Sequence, residues 1–295
     1  MQPSLVLEVL VQGVLAGLVY GLMALGLSVI FGVVRVVNFA HGEFAVLGMY
    51  AAFVLFTVLK IDPFVAMLPI AGLFFIVGYG LQRAVINPFI RRPEHEQFIL
   101  LVGLAIIMVN GMLMVFGPDA RHVNLPYSFD SWFVPTGLTA PIIVDTVRVY
   151  AAAASLAVCA ALFAFFRLTL TGTAIRACAD NLIGAAVVGL DVKRLYALTF
   201  GLGLACVGAA GAMMVALTDA TPMLAPAFTL LAFTIVIVGG LGSMAGALVA
   251  GVLIGVAEAM ASLVVTPSMK SMVSFALLVL VLALRPQGLL GRRPA

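Results

Sequence analysis

The feature that most constrains the fold is the length of the apolar runs. No charged residue occurs between Glu8 and Arg35, and similar runs recur along the chain. Of the 295 residues, 64% are hydrophobic and only 9% are charged, whereas an ordinary soluble domain has about 25% charged residues. So few polar groups cannot cover a surface that faces water, and most of the chain must therefore lie in the hydrocarbon of a bilayer. This composition excludes a soluble enzyme and a disordered chain.

The apolar runs have the length of membrane-spanning helices. A helix that crosses about 30 Å of hydrocarbon needs roughly 20 apolar residues. Charged and Pro/Gly-rich interruptions bound the predicted helices: 8–32, 42–59, 63–84, 97–117, 146–167, 195–217, 242–264 and 270–285. The segment 227–240 is apolar but short, and it is either a ninth crossing or a re-entrant half-helix. The runs lack the alternation of barrel strands. We therefore predict an all-α integral membrane protein, with residues 1–295 forming one Gly-rich bundle of 8–9 transmembrane helices.

Basic residues in the short loops predict the orientation. With the N-terminus outside and 227–240 counted as a crossing, eleven basic residues fall near the cytoplasmic side: Arg35, Arg83, Arg91, Arg92, Arg167, Arg176, Lys193, Arg194, Arg285, Arg292 and Arg293. Four fall outside: Lys60, Arg121, Arg148 and Lys270. This asymmetry places the C-terminus inside. The Pro-rich segment 118–145 is then an extracytoplasmic loop, with a short extended stretch around 142–144.

The largest cytoplasmic segment is 168–193, and it has helical patterning. Apolar residues recur at helical spacing: Ile175, Ala179, Leu182 and Ala186. Polar residues lie away from this stripe: Arg176, Asp180 and Asn181. Gly189 ends the pattern, and Asp191 is a suitable cap for the next helix. The pattern predicts one amphipathic helix over 172–189, a glycine turn and the start of another helix.

No arrangement of residues predicts catalysis or a bound cofactor. The glycine cluster 239–243 (GGLGS) lacks the Lys-Ser/Thr that would hold nucleotide and magnesium, so we expect any ATP to be used by other subunits. Three cysteines without metal-ligand spacing predict neither a disulfide framework nor a metal site. A net charge of +3, spread between apolar runs, gives no reason to expect nucleic acid as a partner.

Two rows of small residues are spaced by four positions. One row is Gly13, Gly17 and Gly21, and the other is Ala247, Gly251, Gly255 and Ala259. Each row places small side chains on one helix face, where a neighbouring helix can approach closely. The rows favour internal packing of the bundle, and a subunit interface along one row is the alternative.

Polar residues within or beside the apolar runs are candidates for the substrate pathway. At the centre of a helix, Glu258 would cost about 2.5–3.5 kcal/mol on insertion, so it should face the bundle interior or a water-filled path. The alternative is a glutamate that snorkels or is protonated near the outer boundary. A second candidate is the polar cluster of Arg35, Asn38, His41 and Glu43, because a polar turn before an apolar helix can direct free N–H groups at an anion. Its alternative is an interfacial turn that fixes topology.

Four blocks of the sequence resemble a known family. They are FGVVRVVNFAHGEFAVLGMY (31–50), TGTAIRACADNLIGAAVVGLDVKRL (171–195), FTIVIVGGLGSMAGALVAGVLIGVAE (233–258) and LRPQGLLG (284–291). In this order they resemble the permeases of branched-chain amino acid ABC transporters, of the LivH-like type. The resemblance implies that 1–295 is a single permease domain of a bacterial inner membrane. It also implies that 168–193, with Gly172, Arg176, Asp180, Asn181 and Gly189, is the segment that couples to an ATPase.

The resemblance further implies a division of labour among subunits. Such a permease pairs with a second, LivM-like permease, two cytoplasmic ATPase subunits drive the pair, and a periplasmic binding protein delivers the substrate. Leucine, isoleucine and valine are the implied substrates, while relatives handle other amino acids, urea, short amides or aromatic acids. A passive channel or secondary transporter for a small polar solute such as urea is the alternative. Ion coupling should, however, require more intramembrane ionisable residues than Glu258.

Overall fold

The computed structural model describes residues 3–90, 92–135, 141–264, 266 and 269–291. Three basic residues of the topology argument, Arg91, Arg292 and Arg293, lie outside these ranges. The helices are α1 (Pro3–Val34), α2 (His41–Leu59), α3 (Pro63–Leu81), α4 (Glu94–Phe116), α5 (Thr146–Leu168), α6 (Leu170–Asp180), α7 (Leu182–Val187), α8 (Val192–Met214), α9 (Ala225–Gly239), α10 (Met244–Ala261) and α11 (Lys270–Leu284). The all-helical membrane fold is confirmed: over the described ranges, 8 helical segments are long and apolar enough to span a bilayer, and Ser271–Leu284 is a shorter apolar helix.

Side-chain caps explain where several of these helices begin. Asp62 accepts a hydrogen bond from the N–H of Phe64 at 2.9 Å before α3, and Ser243 accepts one from the N–H of Gly246 at 3.0 Å before α10. The predicted cap at Asp191 is confirmed, since its side chain accepts from the N–H of Arg194 at 3.1 Å. Such caps satisfy amide groups that have no partner within the helix.

The segment before α5 forms a small β-hairpin. Strands β1 (Ser131–Val134) and β2 (Ile142–Asp145) pair antiparallel, with Trp132 opposite Val144. The predicted extended stretch around 142–144 is thus confirmed as β2. We call this end of the bundle the hairpin face. The other end, which carries α6, α7 and residues 285–291, we call the C-terminal face.

The helix α9 joins the two faces. Just before it, Ala220 pairs with Arg121 of the hairpin-face loop through two backbone hydrogen bonds. At its end, the carbonyls of Val238 and Gly239 accept hydrogen bonds from the C-terminal turn at Leu289 and Leu290. Together with a short 3-10 turn, the helical stretch runs over 18 residues, Pro222–Gly239. Of the two alternatives for 227–240, the geometry therefore matches a crossing.

The centre of the bundle is α8, which packs against α1, α2 and α3. Glycines permit the closest approaches: a Cβ added at Gly26 would lie 2.4 Å from the carbonyl oxygen of Gly203, and one at Gly211 would lie 2.2 Å from that of Ala45. Backbones at this distance leave no room for a side chain.

The two rows of small residues lie against each other. Gly13 faces Ala259 and Val256, Gly17 faces Gly251 and Val252, and Gly21 faces Leu248. The residue numbers of the contacting positions decrease along α10 as they increase along α1, so the two helices run antiparallel. In this structure the rows therefore form an internal helix contact between α1 and α10.

The prediction of one helix over 172–189 is wrong. The chain leaves the helical conformation at Asn181 (φ −147°, ψ 99°), where α6 ends and α7 begins. The side chain of Asn181 accepts a hydrogen bond from the N–H of Gly184 at 2.8 Å and so caps α7. A helix interior would forbid this bond, which explains why the break falls at an asparagine. Gly189 has φ +86°, as a glycine turn requires.

Candidate transport path and coupling surface

A non-helical segment separates α1 from α2 and carries Arg35 and Asn38 of the predicted polar cluster, while His41 and Glu43 lie in the first turn of α2. Residues 35–40 leave the helix at Arg35, which adopts φ 57°. The side chain of Asn38 then accepts a hydrogen bond from the N–H of Ala40 at 3.1 Å. This local turn positions the first residues of α2, beginning at His41, next to α1 and α9.

Three polar residues of this segment and of the first turn of α2 lie inside the bundle. Asn38 and His41 are fully buried, and Glu43 is 3% exposed. His41 Nε2 lies 2.9 Å from the carbonyl oxygen of Met23, which fits a ring that donates its Nε2–H. Arg35, the fourth residue of the predicted cluster, is exposed. Both interpretations of this segment, a turn in the substrate pathway and an interfacial turn that fixes topology, remain predictions. We restrict the name polar cluster to the three buried residues, Asn38, His41 and Glu43.

A hydrogen-bonded chain links the polar cluster to α9. The N–H of Gly42 donates to Thr229 Oγ1 at 2.8 Å, and the Thr229 hydroxyl donates to Glu43 Oε2 at 3.1 Å. The backbones also touch here, because a Cβ at Gly42 would lie 2.0 Å from the carbonyl oxygen of Ala225. Sequence reasoning missed Gly42 and Thr229. The only available signal was a glycine placed between two polar residues at a helix start.

Two buried polar atoms of this cluster have no hydrogen-bond partner among the described residues. They are Asn38 Nδ2, a donor, and His41 Nδ1, which is an acceptor when Nε2 carries the proton. A buried polar atom without a partner costs about 1–3 kcal/mol. Both atoms can therefore form a hydrogen bond with a polar molecule that reaches them.

Glu258 is separate from the polar cluster. It lies toward the hairpin-face end of α10, one position from Ala259, which faces Gly13 of α1. Its Oε1 accepts a hydrogen bond at 2.5 Å from the hydroxyl of Ser274 on α11, and Ser274 is buried. The structure thus brings Asn38, His41 and Glu43 together, while Glu258 takes part in a contact between α10 and α11.

The α6–α7 segment presents an apolar surface at the C-terminal face. Gly172, Ile175 and Cys178 are buried against the bundle and fix the position of α6. Beyond the break at Asn181, apolar side chains are exposed: Leu182 at 46%, Ile183 at 77%, Val187 at 81% and Val188 at 75%. We call these four residues the coupling surface. Because the helix breaks, Ile175 and Leu182 of the predicted stripe point to different surroundings.

Two of the predicted coupling residues, Arg176 and Asp180, line a cavity beside α6, whereas Asn181 and Gly189 do not. It has a volume of about 1140 Å³ and lies between the end of α1, α6 and the α9–α10 turn. Arg35, Arg176 and Asp180 line it together. Arg176 also donates to the hydroxyl of Thr173 at 3.3 Å. Arg176 and Asp180 are both exposed and border this cavity, whereas the coupling surface is apolar.

Comparison with known proteins identifies the family. The family described as "Branched-chain amino acid transport system / permease component" matches residues 9–282. The chain belongs to this permease family. It is 31% identical over 299 residues to the "High-affinity branched-chain amino acid transport system permease protein LivH" of Escherichia coli strain K12, covering 97% of this chain and 96% of the relative.

More distant relatives are also named as branched-chain amino acid transport permeases. The chain is 29% identical to the "High-affinity branched-chain amino acid transport system permease protein BraD" of Pseudomonas aeruginosa, over 97% of this chain and 96% of that protein. It is 27% identical to the "Probable branched-chain amino acid transport permease protein LivH" of Methanocaldococcus jannaschii, over 81% of this chain and 76% of that protein. No solved structure matches the chain.

Proposed function

We propose that this permease is a transmembrane subunit of an ATP-driven importer for leucine, isoleucine and valine, or for a related small amino acid or amide. The relatives from Escherichia coli and Pseudomonas aeruginosa are named as permeases of high-affinity branched-chain amino acid transport systems, which supports this substrate class. The assembly we propose contains a second, LivM-like permease, two cytoplasmic ATPase subunits and a periplasmic binding protein. The hairpin face is then periplasmic, and the C-terminal face is cytoplasmic.

The observation that carries the proposal is the coupling surface. Exposed apolar area costs about 25 cal/mol per Å² relative to burial. The coupling surface lies on one short capped helix, α7, and the turn after it. In the proposed topology this face of the bundle is cytoplasmic. An ATPase subunit would bury the coupling surface, and α6 holds it at a fixed position through its own buried face.

The contacts of α6 suggest how an ATPase could move the membrane helices. Helix α6 contacts α1, α5 and α8, and α8 in turn packs against α1, α2 and α3. Movement of α6 would therefore reach the central helices directly. In our proposal this movement alternates the access of a path between the two permeases. The break between α1 and α2 supplies a polar segment in the bundle, where Asn38 Nδ2 and His41 Nδ1 remain available to water or solute.

A double substitution on the coupling surface tests this proposal. The permease is co-expressed with the ATPase, second permease and binding protein of the same organism, and the complex is purified through a tag on the permease. Ile183→Asp/Val187→Asp should reduce ATPase recovery at least about tenfold, since it places charge in a desolvated contact. The control Phe129→Asp changes an apolar residue on the hairpin face that is at least as exposed, and it should leave recovery unchanged. Normal ATPase recovery with the double variant would refute the assignment of this surface.

A further inference from the structure

A second cavity lies at the C-terminal face, where α3 ends and α8 begins. Its volume is about 830 Å³, and its lining includes Tyr79, Arg83, Asn87, Asp191, Lys193 and Arg194. It does not share any lining residue with the cavity beside α6. Neither the polar cluster nor the coupling surface contributes to it.

The charges in this cavity are predominantly positive. Arg83, Lys193 and Arg194 face a single carboxylate, that of Asp191. That carboxylate already accepts the N–H of Arg194 as the cap of α8. The ion pairs found among the described residues lie elsewhere in the chain. Within the part of the chain that the structure describes, Arg83 makes a single long hydrogen bond, 3.4 Å, to the hydroxyl of Tyr79. The three cations therefore leave a net positive charge for an anion to neutralise.

The walls of the cavity are held together by the end of α3. After Leu81 the helix widens into a π-helical turn, Gln82–Ile86, followed by a 3-10 turn, Asn87–Phe89. The side chain of buried Gln82 donates to Asn87 Oδ1 at 3.1 Å, and Asn87 Nδ2 donates to the carbonyl oxygen of Lys193 at 3.4 Å. These bonds join the end of α3 to the start of α8. Single π-helical turns of this kind occur frequently at functional sites.

An apolar surface adjoins the cavity on the membrane side. Ile76, Val77 and Val85 are exposed on α3 and its π-helical turn, within a segment that has the hydropathy of a membrane span. Tyr79 lies between this apolar surface and the cations, where aromatic residues are enriched at membrane–water boundaries. A ligand with a negative head and hydrocarbon tails would match both parts of the site.

We propose that this cavity binds the phosphate headgroup of an anionic phospholipid, with the acyl chains lying along α3. Arginine forms bidentate hydrogen bonds with phosphate, and lysine adds a point charge. Basic pockets at the end of transmembrane helices are suited to such headgroups. The bound lipid holds the end of α3 against the start of the central helix α8, and so stabilises the junction of these two helices.

Lipid titration of the purified transporter complex tests this site. Phosphatidylglycerol or phosphatidylcholine is added in detergent at low salt, and bound lipid is measured by native mass spectrometry. We expect selective binding of phosphatidylglycerol. Loss of one cation should weaken binding about fivefold, and Arg83→Gln/Lys193→Gln should weaken it about 25-fold. Arg167→Gln is the matched control, because Arg167 is exposed in the last turn of α5 and does not line the cavity. It should bind like the unsubstituted chain.

Each other outcome would overturn the proposal. Equal phosphatidylglycerol binding by the double variant and the control would show that these cations do not form the site. If millimolar inorganic phosphate displaced the lipid, and phosphate alone bound as well as the lipid does, the site would be assigned to a free anion. Unchanged lipid binding with reduced ATPase recovery would assign the cations to a protein contact. The elution profile of each variant verifies that it folds, and both substituted residues are exposed.

Discussion

The contact between α1 and α10 predicts a specific sensitivity to the smallest possible substitution. A Cβ placed on Gly17 would lie 2.6 Å from the Cα of Val252 and 2.7 Å from the carbonyl oxygen of Gly251. Carbon atoms prefer separations of about 3.5–4.0 Å. Both neighbours are backbone atoms, so the helices must separate by about 1 Å. Overpacking of this kind costs about 1–3 kcal/mol, although alanine recovers up to about 1 kcal/mol through its helix propensity.

The matched control is Gly111→Ala on α4, where an added Cβ meets no atom within 4 Å. It changes the helix propensity alone and should be neutral or slightly stabilising. The assay heats each detergent-purified variant and measures the monodisperse fraction by size-exclusion chromatography. We expect a lower midpoint temperature for Gly17→Ala, a further decrease for Gly17→Leu, and no decrease for Gly111→Ala. If Gly17→Ala and Gly111→Ala had the same midpoint, the close contact between α1 and α10 would be refuted.

Three further predictions concern orientation, a buried hydrogen bond and coupling. Phe129→Cys should react with a membrane-impermeant thiol reagent in intact cells, and Val187→Cys should not. The background should be low because the three native cysteines are buried, and the reverse pattern would contradict the topology. Glu258→Leu removes the acceptor of Ser274 and should cost about 0.5–1.5 kcal/mol in thermal stability, whereas Glu258→Gln keeps an acceptor and should cost less. Gly189→Val places a β-branched residue at φ +86° and should lower the ratio of uptake to ATP hydrolysis; a normal ratio would remove this turn from coupling.

The membrane spans could be predicted because charged side chains are rare in segments that lie in the hydrocarbon of a bilayer. The predicted helix 146–167 appears as Thr146–Leu168, and 42–59 appears as His41–Leu59. The segment 227–240 was ambiguous because its apolar run alone is too short. In the structure Pro222 starts the helical stretch earlier, and no sequence periodicity marks a 3-10 turn that continues into a helix.

Contacts between distant residues could not be predicted from local patterns. Four-residue spacing shows that Gly13, Gly17 and Gly21 share a helix face, but it does not identify the helix that packs there. Likewise, the polar residues around the start of α2 were visible in the sequence, whereas Thr229 lies 187 positions from Gly42 and carries no local signal. The break at Asn181 was missed because asparagine is compatible with a helix surface and with a cap, and tertiary context decides between them.

The account is tested most directly by uptake into proteoliposomes that contain the purified permease, its partner permease and the ATPase subunits, with the binding protein added outside. Uptake is compared for radiolabelled leucine, isoleucine, valine, a short amide and urea. The ATPase subunits face the lumen of the proteoliposome, which either contains ATP or lacks it. The account predicts accumulation of branched-chain amino acids against their gradient, which requires ATP, the binding protein and this chain. Equilibration of urea or another solute without ATP, and no ATP-dependent accumulation of any amino acid, would contradict it and indicate a channel or secondary transporter.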